Sequence, residues 1–178
     1  RTGNIESLSK KIQNYKPDLT IADSAGNNAL HIATMYGRDN IIHLLMKYST
    51  NVDEHNLTGH APLHLAAKYK QYEAIQALLS YQTNINIRNK DGYTALHLAV
   101  LDGNITLINL LVNRGSNLTT TDFRGRTALH LAIENRHNQC VRYLLQNKCN
   151  VNAQDINGNT PLHYASSTHN LEMLRLLI

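Results

Sequence analysis

The sequence predicts an all-α fold of stacked helix-turn-helix units, and three regularities predict it. Five histidines, His31, His64, His97, His130 and His163, recur every 33 residues. In register with each stand a leucine just before it, an alanine two residues after it and a glycine five residues before it. A further leucine follows fourteen residues after each: Leu45, Leu78, Leu111, Leu144 and Leu177. Positions that agree in phase over five copies define a repeat. A unit of this length cannot bury its own apolar face, so copies must stack.

The fourth copy shows the unit. Asp122-Phe123-Arg124-Gly125-Arg126-Thr127 reads as a turn, with the glycine free to take positive φ. Thr127 to Ile133 opens a short apolar helix, with Thr127 placed to cap it. A break near Arg136-His137 leads to a second helix that carries Cys140, Val141, Leu144 and Leu145 along one face. Asn150 to Gln154 is an extended return to the next turn. The chain then divides into a partial repeat 1–22, repeats 23–55, 56–88, 89–121 and 122–154, and a partial repeat 155–178. Gly3 to Ile12 reads as the second helix of a cut repeat, with Gly3 at its break, and Leu176-Leu177-Ile178 stops inside another second helix. We expect a single repeat domain drawn from a longer array or protein.

This pattern resembles the ankyrin repeat over essentially the whole chain. Thr160-Pro161-Leu162-His163-Tyr164-Ala165 is nearest to the family signature, and Ala61-Pro62-Leu63-His64-Leu65-Ala66 and Thr94-Ala95-Leu96-His97-Leu98-Ala99 are close variants. Asn28-Ala29-Leu30-His31-Ile32-Ala33 departs most, with asparagine in the capping position. The resemblance implies an α-solenoid with projecting β-hairpin loops, in which the phased histidines are scaffold bonded between neighbouring turns. It also implies glycine at the breaks after the helices. Gly37, Gly103 and Gly115 follow that rule, whereas Lys70, Gln82, Arg136 and Lys148 do not. Those four are expected either to carry left-handed strain, about 1 kcal/mol each, or to relax away from it.

Composition excludes more than it proposes. The chain is 42% hydrophobic and carries 17 basic against 13 acidic residues, a mild excess of +4. That is far from a nucleic-acid-binding tail. No run of apolar residues is long enough to span a bilayer, so direct membrane insertion is not expected. Two cysteines do not make a disulfide framework. Asn56-Leu57-Thr58, Asn104-Ile105-Thr106 and Asn117-Leu118-Thr119 match glycosylation acceptors, as chance allows in an Asn-rich chain. Together these point to an intracellular, cytoplasmic or nuclear setting. The remaining histidines, His43, His55, His60, His137 and His169, lack ligand spacing, so no metal is expected. Cys140 falls in a core slot and Cys149 in a small-residue slot, which predicts inert packing. The glycines fall in repeat slots and leave no phosphate-binding loop, and no nucleophile elbow is present. We therefore expect neither an enzyme nor a cofactor, and no small-molecule substrate.

Where scaffold positions are set by the repeat, the informative residues are those that vary while facing outward. By the resemblance these are the hairpin tips and the exposed side of the first helix, which line a concave face. They give Tyr36, Leu57, His60, Lys68, Tyr69, Arg88, Lys90, Tyr93, Leu101, Phe123, Arg124 and Arg126 as partner-binding residues. Phe123 is the only phenylalanine, and aromatic and arginine residues are enriched in binding hot spots. The expected function is a protein–protein interaction module, an adaptor, scaffold or inhibitor, whose partner protein or peptide bears acidic and apolar residues. The alternative is a targeting or regulatory region of a larger enzyme, channel or transcription regulator. Replacing Phe123 and Arg126 together is expected to remove binding and spare folding. The resemblance further implies hydroxylation at hairpin asparagines, matched here by Asn86 and Asn152.

Overall fold

A computed structural model describes residues 2–15, 18–48, 50–168 and 171–178. Among them are eleven α-helices and a single isolated bridge, Thr121 to Thr127. They form two compact units, residues 1–84 and 85–178. His169 lies outside the described residues.

In the first unit, α1 (Thr2–Tyr15) precedes two helix pairs, α2 (Ala29–Met35) with α3 (Asp39–Met46) and α4 (Pro62–Lys68) with α5 (Tyr72–Leu79). Helix α2 packs on α4, α3 on α5, and α1 on α3. The Ser9 and Tyr48 hydroxyls meet at 3.2 Å where α1 adjoins the end of α3. Helix α1 takes in Gly3 and runs on to Tyr15, so Gly3 stands inside a helix, where the sequence reading places a break.

The second unit repeats the plan with three pairs. They are α6 (Ala95–Leu101) with α7 (Ile105–Asn113), α8 (Ala128–Glu134) with α9 (Asn138–Gln146), and α10 (Pro161–Ser167) with α11 (Leu171–Leu177). First helices pack on first helices (α6 on α8, α8 on α10) and second on second (α7 on α9, α9 on α11). The core is the phased set the repeat marks out: Leu96, Leu107, Ile108, Leu111, Leu129, Leu131, Ile133 and Leu144 are all but fully buried. Cys140 shares that core at 1% exposure. Burial pushes the thiol of Cys140 up and that of Cys149 to about 11, so both stay protonated and inert at neutral pH.

First helices of seven residues are too short to be stable alone, so their ends matter. In the second to fifth copies the phased histidine turns its Nδ1 back to accept the backbone N–H three residues earlier, whereas His31 Nδ1 lies 2.7 Å from Asn28 Oδ1. His64 takes that of Ala61 at 3.0 Å, and His97, His130 and His163 take those of Thr94, Thr127 and Thr160 at 3.1 Å. The threonine hydroxyl adds a bond to the same nitrogen, 2.9 Å for Thr127 and His130. Thr127 thus caps through the imidazole as well as the backbone. Asn28 in α2 caps at least as well, its Oδ1 accepting the N–H groups of both Leu30 and His31 at 3.1 Å. The other ring nitrogen ties copies together: His31 Nε2 reaches the carbonyls of Glu54 and His60, and His130 Nε2 that of Asn159. These are the bonds between turns that the resemblance implies.

The breaks divide into two kinds. Lys70, Arg136 and Lys148 do hold positive φ, at 56°, 57° and 58°, and bear a strain of about 1 kcal/mol each. Gln82 has relaxed out of the left-handed region. After Lys148 and Gly115 the next backbone N–H closes the helix, Cys149 to Leu144 O at 3.3 Å and Ser116 to Leu111 O at 3.0 Å. After Gln82 the Thr83 hydroxyl performs that task, donating to Leu78 O at 2.6 Å, so the left-handed turn is unnecessary. Gly37 holds φ 62° at its break, and a β-carbon there would push aside the end of the Gln71 side chain, whose amide caps Met35 O at 3.0 Å.

Burial holds three phased histidines neutral. His31 and His130 lie below the ordinary imidazole range, and His97 falls to about 4, with desolvation the largest cause in each. The unfolded chain binds these protons near pH 6.5 and the folded chain does not. Their contribution is therefore complete above pH 6.5 and declines as pH falls toward 4. Urea unfolding should show a midpoint that drops steadily between pH 7 and pH 4.5; a flat midpoint over that interval would contradict the account.

Candidate functional site

Each turn is organised by one side-chain oxygen. Asp122 Oδ1 accepts the N–H groups of Arg124 and Arg126, both at 2.9 Å. Asn89 does the same for Asp91 at 2.9 Å and Tyr93 at 2.8 Å. Asp23, Asn56 and Asp155 repeat the arrangement in their own turns. This is an Asx turn closed twice, and it leaves the intervening side chains pointing outward. Successive turns then bond to each other, Phe123 N–H to Asp91 O at 3.3 Å. Gly92 permits that approach: a β-carbon on it would stand 2.5 Å from the Phe123 nitrogen.

In the second unit the turns 89–93 and 122–126 border a pocket of about 430 Å³, lined by Lys90, Asp91, Tyr93, Asp122, Phe123, Arg124 and Arg126. Phe123 stands at its edge, 61% exposed. The Arg88 guanidinium lies over the ring, 4.7 Å from its centroid, with Nε 3.4 Å from Gly92 O. Arg88, Lys90 and Arg124 are exposed, as is Asp91. The sequence-predicted residues Lys90, Tyr93, Phe123 and Arg124 thus meet in one place. Leu101 is half-buried and does not line the pocket.

Arg126 is the correction. The repeat places it on an exposed tip, but only 7% of it is accessible. Its Nε donates to Asp122 Oδ2 at 2.8 Å, one terminal nitrogen pairs with Glu134 at 2.6 Å, and the other donates to the Tyr93 hydroxyl at 2.9 Å. Burial opposes its charge, and the Asp122 hydrogen bond and the Asp122 and Glu134 charges outweigh that, raising its pKa. Arg126 is therefore the floor of the pocket, braced from three sides, and its substitution by glutamate would not spare folding.

The first unit carries the remaining candidates. Tyr36 (64% exposed), Leu57 (74%) and Tyr69 are large exposed apolar side chains, and Lys68 is also exposed. The Lys68 ammonium lies 6.0 Å from the Tyr69 ring centroid. His60 is half-buried and bonded to Thr58. Ile32 on α2 is exposed too and was not singled out by sequence, because its slot holds buried Leu65 and Leu131 in other copies. Asn86 accepts the Asn117 N–H at 2.8 Å, whereas Asn152 is exposed. Of the glycosylation matches, Asn56 is buried and its amide donates to Asn27 at 2.7 Å. Among the described residues no group of three His, Cys, Asp or Glu side chains could hold a metal ion, and no helix is long and apolar enough to cross a membrane.

Paired helices, Asx-closed turns and imidazole caps in a 33-residue phase define a helical repeat protein. A family model described as ankyrin repeats matches in three copies, over residues 1–89, 51–122 and 96–178, and the chain belongs to that family. No curated protein matches the chain. Ankyrin repeats generally serve as protein–protein interaction modules and are typically non-catalytic.

Arg126→Met should lower unfolding free energy by about 3 kcal/mol, since it strands the buried Asp122 carboxylate. Phe123→Ala, at an exposed position, should change it by less than about 0.5 kcal/mol. Equal losses in the two variants under urea would refute this division between floor and tip.

Proposed function

We propose that the chain is a protein–protein interaction module that binds a partner protein or peptide through its turn tips and the exposed ends of its first helices. The observation that supports this most is the exposure of large apolar side chains at those positions: Tyr36, Leu57, Tyr69 and Phe123. A folded protein does not gather aromatic residues on exposed tips to stabilise itself, and such residues are the usual anchors of interfaces. Their neighbours Lys68, Arg88, Lys90 and Arg124 are exposed cations, which favours a partner with acidic as well as apolar residues. Nucleic acid would call for a longer basic track than these provide. The free, protonated thiols and the buried Asn56 suit an intracellular protein of adaptor, scaffold or inhibitor type.

Photo-crosslinking tests the reading. A photoreactive residue in place of Tyr36, Leu57 or Phe123 should capture partner protein from cell extract. The same residue at Asn109 or Gln139, exposed on second helices, should not. Capture at Asn109 and Gln139 alone would place the binding surface on the opposite helices and overturn it.

A further inference from the structure

Taking the exposed turn tips as the binding surface, we propose a ligand chemistry for the pocket between turns 89–93 and 122–126. It takes an acidic peptide in which an apolar side chain sits beside carboxylates. The apolar side chain lies against Phe123, the carboxylates pair with Lys90 and Arg124, and Arg88 is a positioning residue that holds the Phe123 ring.

The pocket's acids and bases are unequally occupied. Asp122, in the floor, has Oδ1 filled by two backbone N–H groups and Oδ2 by Arg126. Glu134 is paired with the same guanidinium. Lys90 and Arg124 have no carboxylate within ion-pair distance among the described residues. The groups left to pair with an incoming ligand are therefore cations at the rim, opposed only by Asp91. Charge complementarity at a rim sets partner choice and association rate.

Phe123 supplies the apolar half. Its backbone is pinned to Asp91 O, and the residue stays 61% exposed on a pocket that Lys90 and Arg124 also line. Arg88 differs from Lys90 and Arg124 in having its guanidinium over that ring and its Nε on Gly92 O. A cation held over an aromatic face is attracted to it, so this guanidinium restrains the ring. The pocket volume of about 430 Å³ accommodates one large side chain and its flanking backbone. A nucleic-acid strand also stacks on aromatic rings but calls for a longer basic track than Lys90 and Arg124 provide.

The full chain is titrated, by fluorescence polarisation, against labelled probes. They are a Glu/Asp-rich peptide with a central Leu-Phe pair, the same peptide with Ser-Ser in its place, its Lys-rich counterpart and a single-stranded oligothymidine. The acidic Leu-Phe peptide should bind best, with the Ser-Ser peptide weaker by about tenfold or more. Phe123→Ala should cost about tenfold in affinity. Lys90→Gln and Arg124→Gln should each weaken binding and flatten its salt dependence. Arg88→Ala should weaken binding and keep the salt slope, and Arg88→Lys should restore part of the loss. Equal binding of the Ser-Ser peptide, tighter binding of oligothymidine or of the Lys-rich peptide, indifference to Phe123→Ala, or no binding of any probe would each overturn the proposal. A salt slope changed by Arg88→Ala as much as by Lys90→Gln would overturn the positioning role. If the probes fail while crosslinks at Tyr36 and Leu57 still capture a partner, the pocket chemistry falls and the interaction module stands. If both fail, the module reading falls with it.

Discussion

One side-chain oxygen at the start of each turn decides what the rest of the repeat can do. Asp23, Asn56, Asn89, Asp122 and Asp155 each gather two backbone N–H groups from the residues that follow. Those N–H groups would otherwise need water or a partner strand. With them satisfied internally, a turn projects from the helices without a sheet to support it. Its outward side chains are then released from structural duty. Phe123 can be exposed because Asp122 holds the backbone that follows it, at Arg124 and Arg126.

The phased histidines complete the scaffold by working at both ends. Nδ1 closes the first turn of a short helix, and where Nε2 finds a partner it is a carbonyl of the following turn. This use requires a neutral ring, which burial enforces. It also accounts for five of the ten histidines as scaffold. His64, His97, His130 and His163 have Nδ1 turned to the backbone. His137 follows the same habit, its Nε2 on Leu101 O at 3.2 Å. An imidazole is a polar core residue here, and its cost appears only as pH falls.

Much of this was legible in sequence because it is periodic. The 33-residue phase located the turns, the first helices and the buried leucines, and it put Phe123, Lys90 and Arg124 at exposed tips. What escaped was aperiodic. The slot of Arg126 holds Asn27, His60, Tyr93 and Asn159 in other copies, none of which has the reach to join Asp122, Glu134 and Tyr93 at once. An arginine there sinks inward because three acceptors lie within its span. At Gln82, where the sequence leaves strain or relaxation open, relaxation prevails because its neighbour Thr83 replaces a backbone donor with a hydroxyl. Thr50 offers the matching signal, with its own hydroxyl on Leu45 O at 2.9 Å. Asn89 and Asn56 stand where other copies have aspartate, and a neutral amide oxygen proves sufficient to close a turn.

The central claim is that the acceptor oxygen, more than its charge, holds the tip in place. Amide hydrogen exchange at Arg124 and Arg126 tests it most directly. Asp122→Asn keeps the acceptor, as Asn89 does in its own turn, and should leave both amides slow. Asp122→Ala removes it and should speed both by about tenfold or more, while amides within α7 keep their protection. Unchanged exchange in Asp122→Ala, or exchange in Asp122→Asn as fast as in Asp122→Ala, would contradict the account.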